Sequence, residues 1–512
     1  MTFLQLLDGV EVLAQSGDAN ITGIEYDSRK VTSGCAFVAM RGETSNGNHF
    51  IDKAIASGAV AIITDSSSEP LRENIAWAKV PHGRRALARA SANFYGHPEN
   101  QLNFTGVTGT NGKSTVTFLL ESILRAAGRK NALIGTIEYH VADRILPAPH
   151  TTPEALDLRR IFSDSLRAGA SEAVMEVSSH ALTQQRVFGI PYDVAVFTNL
   201  TRDHLDYHGT MPDYFAAKRS LFEGCGTPPP RVAVINMDDE YGAELGKFSR
   251  RQGSQIISYG LTRGDFHAEK LEITSRGTRF DMVTPSGRIA MWSPMIGRVN
   301  VYNILAAAAA ASARSCKEKE IADGIFNLQC VPGRFQRVDC GQPFTVVVDY
   351  AHTDDALRNL TSLAREFVTQ NDGKGRVITV FGCGGDRDRA KRPLMGEAAG
   401  KGSDLVILTS DNPRSEDPIA VINDALVGVQ RSGVKYKVEA GRRAAITLAV
   451  NQAMSGDIVL LAGKGHEKVQ VSREGSRPFD DVEVAREALL KAGFESAPGS
   501  NHAGKPCGAG KP

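Results

Sequence analysis

Short apolar runs alternate with polar, glycine-bearing turns along most of this chain. In residues 1–96 the clearest runs are Ala36-Phe37-Val38-Ala39-Met40 and Val60-Ala61-Ile62-Ile63-Thr64. Unbroken apolar runs of this length, bounded by turn residues, predict buried strands of a small α/β unit. Gly96-His97-Pro98 ends the pattern. From 97 to 332, strand-like runs at 102–105, 173–177, 194–198 and 231–236 alternate with helical patterns. That order predicts βαβ units and a mainly parallel sheet. Residues 265–293 break the rule: they alternate, carry Pro285-Ser286-Gly287, and predict a β-rich insertion. The alanine run 306–311 predicts a tightly packed helix, too short and too weakly apolar to span a membrane. Val331-Pro332-Gly333 marks a second boundary.

Residues 333–496 hold four strand candidates, at 344–348, 376–381, 404–409 and 457–462. Each runs into a polar loop: Asp349-Tyr350-Ala351-His352, residues 382–389, Asp411-Asn412-Pro413-Arg414, and Gly463-Lys464-Gly465-His466-Glu467. Open parallel sheets bind ligands beyond the carboxyl ends of their strands. Four such loops therefore predict one shared site. The tail, 497–512, has no packing pattern and predicts disorder.

The 512 residues suit about three domains. A net charge of +1 leaves no basic field for nucleic acid or an anionic membrane. Seven cysteines (35, 225, 316, 330, 340, 383 and 507) are scattered without a CxxC pair, so neither a zinc site nor a disulfide framework is indicated. Cys383 reads as a small buried residue. The N-terminus lacks a basic region and Asp8 interrupts its short apolar run, so no signal peptide is expected. We expect a soluble, cytoplasmic protein without membrane insertion.

Candidate chemistry starts with Gly106-Val107-Thr108-Gly109-Thr110-Asn111-Gly112-Lys113-Ser114-Thr115. A strand precedes it, and Val116, Leu119, Leu120, Ile123 and Leu124 follow at the spacing of one helix face. Strand, glycine turn and helix start form a phosphate cradle; the lysine reaches the outer phosphates and a hydroxyl takes Mg²⁺. A strict P-loop has glycine where Val107 stands, but the context favours a true cradle binding a nucleoside triphosphate. Downstream lie His150-Thr151-Thr152-Pro153, Glu176-Val177-Ser178-Ser179-His180, and Asn199 with residues 201–208. Glu176, at a strand end beside the cradle, is the first candidate to hold Mg²⁺. Its plainer reading is a helix cap or surface ion pair. The His204, Asp206 and His208 cluster has zinc-like chemistry. The nucleotide context calls for Mg²⁺ instead, with His204 supporting its shell or a phosphate. Arg387 and Arg414, with Asp411 and Glu467, would suit a ligand bearing both carboxylate and ammonium groups.

Taken together, these motifs resemble the Mur ligases, which add amino acids to a UDP-linked muramoyl peptide. Residues 109–115, 176–180, 203–209, 349–352, 411–414 and 463–467 carry the likeness, which spans about 20–490. The chain is most similar to the members that add the third residue. The resemblance implies an α/β fold of three domains: 1–96 for the uridine nucleotide, 97–332 as the ATPase, and 333–496 as a Rossmann-like amino-acid domain. It implies ATP-binding roles for Gly109, Thr110, Asn111, Gly112, Lys113, Ser114, Thr115, Asn303, Arg334, Asp349 and His352. Ser28 matches the uridine position, and residues 43–45 occupy another such stretch. Thr151, Thr152, Ser178, Gln184 and Arg186 match residues that hold the precursor's diphosphate and peptide arm. Lys218 matches a lysine carbamylated by CO₂; Ser114, Glu176 and that carbamate would serve the metals, with Lys113, Glu176, His204 and Lys218 catalytic. Arg387, Asp411, Asn412, Pro413, Arg414, Gly463 and Glu467 match the amino-acid pocket. An arginine at 414 accompanies meso-2,6-diaminopimelate, because its fork can grip the second carboxylate that lysine lacks.

The implied reaction makes an acyl phosphate from UDP-N-acetylmuramoyl-L-alanyl-D-glutamate and ATP, then an amide with diaminopimelate, in a monomer. Three alternatives stand beside it. They are a lysine-adding enzyme of the same fold, a folylpolyglutamate-type ligase, and a nucleotide-binding scaffold without ligase activity.

Overall fold

Sheet formation follows the apolar runs closely. The computed structural model describes residues 1–43, 45–67, 74–274, 276–370 and 373–495. The predicted tail at 497–512 and Cys507 lie outside them. Near the N-terminus, five strands line up as Ala14–Ser16, Ala76–Lys79, Ala61–Thr64, Cys35–Ala39 and Gly23–Glu25. All neighbours are parallel except the first pair. Helix Gly83–Tyr95 buries Ala86, Leu87 and Ala90 toward this sheet and stops at Gly96, whose φ of 71° ends the helix.

The second sheet has eight strands. Its order is Gln255–Tyr259, Val232–Asn236, Tyr192–Phe197, Asn103–Thr108, Glu172–Glu176, Asn131–Ile134, Glu138–Val141 and Arg144–Pro147. The first six are parallel, as the βαβ pattern predicts, and the last two form an antiparallel extension. Strand Asn103–Thr108 lies inside the sheet, so a Cβ at Gly106 would stand 2.7 Å from the Tyr192 ring. Helix Arg298–Ala313 buries every residue of its alanine run. Small side chains let it sit close to helix Lys113–Ala126 in one apolar core. The β-rich insertion forms as expected: His267–Thr274, Gly277–Thr284 and Gly287–Ser293 make an antiparallel sheet.

The third sheet runs Gln336–Val338, Thr345–Asp349, Ile458–Ala462, Val377–Phe381, Leu405–Leu408 and Lys435–Val438. The four strands predicted in this region are consecutive and parallel, so their carboxyl ends share one edge. Lys435–Val438 is an exposed edge strand, too polar to stand out in the sequence. Among the described residues, no helix is long and apolar enough to cross a membrane.

One buried charge cluster stiffens the second sheet. His140 Nδ1 lies 2.6 Å from Glu121 and its Nε2 lies 2.9 Å from Glu138. Burial depresses its pKa, but the two carboxylates outweigh burial and lift it to about 9. A raised folded pKa means that this stability is complete below the ordinary histidine pKa and is lost as pH rises through about 9. Thermal unfolding midpoints should therefore fall from pH 7 to pH 10 by more in the wild type than in His140→Gln. The substitution itself should cost about 3 kcal/mol at pH 7, since it strips two carboxylates of their partner.

Candidate active site

The cradle turns where the central strand ends. Gly109 has φ 146°, and a Cβ there would stand 1.9 Å from Thr198 Oγ1. Gly112 has φ 90°, and a Cβ there would stand 2.4 Å from Asn303 Oδ1. Both positions therefore require glycine. Val107 needs none, because it is a buried strand residue before the turn. The strand after residue 192 steadies the loop: Thr110 N–H donates to Asn199 O at 2.8 Å, and Asn111 N–H donates to Asn199 Oδ1 at 2.9 Å. Lys113 folds back on the turn and donates to the carbonyls of Gly109 (3.0 Å) and Thr110 (2.8 Å).

Lys218, on helix Met211–Glu223, donates to the same Gly109 carbonyl at 2.7 Å. Its side chain is 1% exposed and its ammonium lies 4.5 Å from the centre of the Tyr214 ring. Burial, and then the like charge of Lys113, hold the Lys218 pKa well below the usual lysine range. Burial also lowers that of Lys113. The sequence offers no local signal for this convergence.

Glu176 ends its strand fully buried. Its carboxylate accepts from Thr136 N (2.8 Å) and Thr136 Oγ1 (3.0 Å). It is not a helix cap, because Ser178 caps the next helix. Arg334 donates to Ser114 Oγ at 3.1 Å, at the cradle's helix start. Asp203 is buried with His204 Nε2 at 3.4 Å, Lys391 Nζ at 3.5 Å and His352 Nε2 at 3.8 Å. Burial alone would raise its pKa, but its neighbours His204, Lys391 and His352, and the His204 N–H, hold it low. Burial drives His204 down to about 3 and His352 to about 4, so both rings are neutral at pH 7. Among the described residues, no group of three or more His, Cys, Asp or Glu side chains could hold a metal, which counts against the zinc reading. Asp349 gives its two carboxylate oxygens to Phe335 N (2.7 Å) and Ala351 N (2.8 Å). It thereby fixes the backbone beside Arg334.

The residues matched to the precursor form a continuous chain of hydrogen bonds. Thr152 Oγ1 donates to Glu176 O at 2.8 Å and accepts from Ser178 N at 3.1 Å. Arg186 donates to Thr152 O at 2.9 Å and to Gln184 Oε1 at 2.7 Å. Gln184 donates to Glu43 Oε1 at 2.8 Å, which also accepts from Tyr207. Thr151 pairs with Thr136 through their hydroxyls at 3.1 Å. Ser28 is buried in the first unit, after strand Gly23–Glu25, and is not part of this chain. Thr44 lies outside the described residues.

At the edge of the third sheet, Asn412 donates to Glu467 at 2.7 Å and accepts from Lys464 at 3.0 Å. Lys464 also lies 3.3 Å from Asp411. Burial, then Asp411, raise the Glu467 pKa. Gly463 has φ 112°, and a Cβ there would stand 3.4 Å from Asp411 Oδ2. Arg414 has φ 52° and donates to Gly385 O at 2.7 Å. Burial, and then Arg387, depress its pKa. Arg387 is exposed and donates to Asp386 O at 2.9 Å. Pro413 backs this turn against Gly385.

A cleft of about 1650 Å³ is lined by Thr136 and Thr151, by Arg334 and Tyr350, and by Asn412, Arg414 and Glu467. Sequence reasoning missed Thr136, Asp203 and Lys464. Thr136 follows the carboxyl end of buried strand Asn131–Ile134, which is the one signal that marks it.

Three family descriptions match this chain: "Mur ligase family, catalytic domain" over 20–95, "Mur ligase middle domain" over 107–311, and "Mur ligase, glutamate ligase domain" over 333–465. A protein of Solibacter usitatus named UDP-N-acetylmuramoyl-L-alanyl-D-glutamate--2,6-diaminopimelate ligase is 54% identical over 93% of this chain and 94% of its own. One of the same name from Geobacillus thermodenitrificans is 45% identical over 95% of this chain and 98% of its own. A solved structure bearing that ligase name superposes with a TM-score of 0.66 at 35% identity, covering 96% of this chain and 99% of that one.

Proposed function

The chain belongs to the Mur ligase family, and we infer that it uses ATP to join 2,6-diaminopimelate to UDP-N-acetylmuramoyl-L-alanyl-D-glutamate, a step of peptidoglycan precursor synthesis. The observation that supports this most is one cleft lined together by Thr151 of the polar arm, by Arg334, which bonds Ser114 of the cradle helix, and by Asn412, Arg414 and Glu467 of the third sheet's edge. We further propose a soluble, cytoplasmic monomer that divides its work among units at 1–96, 97–332 and 333–496.

In the first step the substrate's glutamate carboxylate attacks the γ-phosphate of ATP, giving an acyl phosphate and ADP. Lys113 leaves the Gly109 and Thr110 carbonyls for the phosphates, while the turn N–H groups and helix start face them. Asn303 and His352 flank the nucleotide, and Asp349 holds Arg334 in place. Ser28, Thr151, Thr152, Ser178, Gln184 and Arg186 hold the precursor, so that its carboxylate meets the phosphate in a fixed orientation. In the second step the diaminopimelate amine displaces phosphate from the acyl carbon.

Magnesium fits the residues present. Glu176 offers a buried carboxylate and Ser114 a hydroxyl at the cradle, which is the sparse protein share expected when phosphates and water complete the shell. Carbamylated Lys218 would add a second anion, and His204 supports the site from the rim. When bound, the ion would neutralise charge developing on the phosphates.

Phosphate release from ATP should require both the UDP-linked precursor and an amino acid, with diaminopimelate strongly preferred to lysine. Preference for lysine, release driven by a folate, or ATP binding without release would each reject this assignment.

A further inference from the structure

His466 carries an unused lone pair in the middle of the cleft. It stands in the loop after strand Ile458–Ala462, next to Glu467. The backbone of Thr136 lies beside its ring. Nδ1 is buried and has no hydrogen-bond partner. With its proton on Nε2, the neutral ring leaves Nδ1 as an acceptor. The ring packs on Tyr350 with centroids 4.9 Å apart, and Arg334 lies 4.6 Å over the same tyrosine. Burial first, then Arg334 and Lys468, press its pKa to about 3, so the ring is neutral at pH 7. A buried acceptor left without a donor costs about 1–3 kcal/mol, so this one calls for a purpose.

Position suggests that purpose. His466 lines the same cleft as Asn412, Arg414 and Glu467 and as Thr136, Thr151 and Arg334. Thr136 in turn holds Glu176. A ligand clasped by Arg414 and Glu467 and reacting near Thr136 and Glu176 shares this cleft with the ring.

We propose that His466 is a catalytic residue whose Nδ1 accepts a hydrogen bond from the attacking amine of the amino-acid substrate and aims its lone pair at the acyl carbon. This rests on the ligase reading above. In the step, a C–N bond forms and the C–O bond to phosphate breaks, its electron pair leaving with the phosphate. The acyl phosphate dianion and neutral amine give amide and hydrogen phosphate. The proton shed by nitrogen ends on the phosphate, a stronger base than this imidazole.

The test uses the full chain with ATP and UDP-linked precursor, with two readouts: ligation of diaminopimelate, and capture of the acyl phosphate by hydroxylamine as a hydroxamate. Two variants separate aiming from structure. Gln at 466 places its carboxamide near Nε2 and loses the Nδ1 acceptor; Asn places its carboxamide oxygen near Nδ1. His466→Gln should ligate about 100-fold more slowly yet form hydroxamate within about twofold of wild type. His466→Asn should recover several-fold of the lost ligation. Equal losses in both assays, wild-type ligation by His466→Gln, or His466→Gln outperforming His466→Asn would overturn the proposal. A wild type that forms hydroxamate but ligates neither diaminopimelate nor lysine would overturn the ligase reading with it.

Discussion

Arg414→Ala is expected to lower kcat/KM for diaminopimelate about a thousandfold while leaving ATP affinity within about twofold. The size follows from what the pocket prepares. Arg414 sits in a left-handed backbone conformation, at φ 52°, that few side chains adopt. One guanidinium nitrogen is fixed on Gly385 O at 2.7 Å, which aims the fork along the cleft. Arg387 lies close enough to depress its pKa. Two cations facing one space are mutually unfavourable until an anion enters between them. A second carboxylate on the substrate supplies that anion through charge-assisted hydrogen bonds. Lysine instead brings an ammonium and leaves the arginine desolvated and unpaired, at a cost of several kcal/mol. Steady-state turnover with each amino acid, beside a nucleotide titration, reads both quantities. Equal loss of diaminopimelate use and ATP binding would refute the role. Arg414→Lys should fall between, because a point charge cannot reproduce the bidentate grip.

How far the residues alone reach depends on whether a feature is local. The four strands ending in reactive loops were legible because each is a buried apolar run with its loop directly behind it. The cradle was legible despite Val107, since strand, glycines and helix are contiguous. Glu176 could be nominated, but Thr136, which holds it, is forty residues distant and chemically ordinary. Asp203 was quoted within a motif, yet its meeting with Lys391 and His352 depends on how two sheets face each other. Lys464, fully buried between glycines, looks like a solvated loop residue until Asn412 and Asp411 close over it. His466 shows the same limit: a histidine in a motif becomes informative once folding leaves one of its nitrogens buried without a partner. Long-range convergence has no period and no spacing, so sequence reasoning cannot see it.

Lys218→Met should reduce kcat by about a thousandfold or more, or roughly 4 kcal/mol of transition-state stabilisation. Methionine preserves the volume of a side chain that is 1% exposed, so the loss would come from chemistry and not from a cavity. Burial and Lys113 hold the Lys218 amine toward its neutral form, the form that adds to CO₂. Carbamylation of the neutral amine forms an N–C bond, releases one proton and leaves an anion beside the cradle; counted from the ammonium, two protons leave. Such an anion can hold a cation on the phosphates, whereas an ammonium there would repel it. Substitution also separates this role from simple charge: Lys218→Arg keeps the positive charge and should fail as badly as Lys218→Met. ¹³C-labelled bicarbonate should give a carbamate resonance in the wild type that is absent from both variants. Stripping CO₂ from the assay should slow the wild type reversibly. Should Lys218→Arg retain more than about a tenth of wild-type kcat, the residue works as a cation on the Gly109 carbonyl and the carbamate assignment fails.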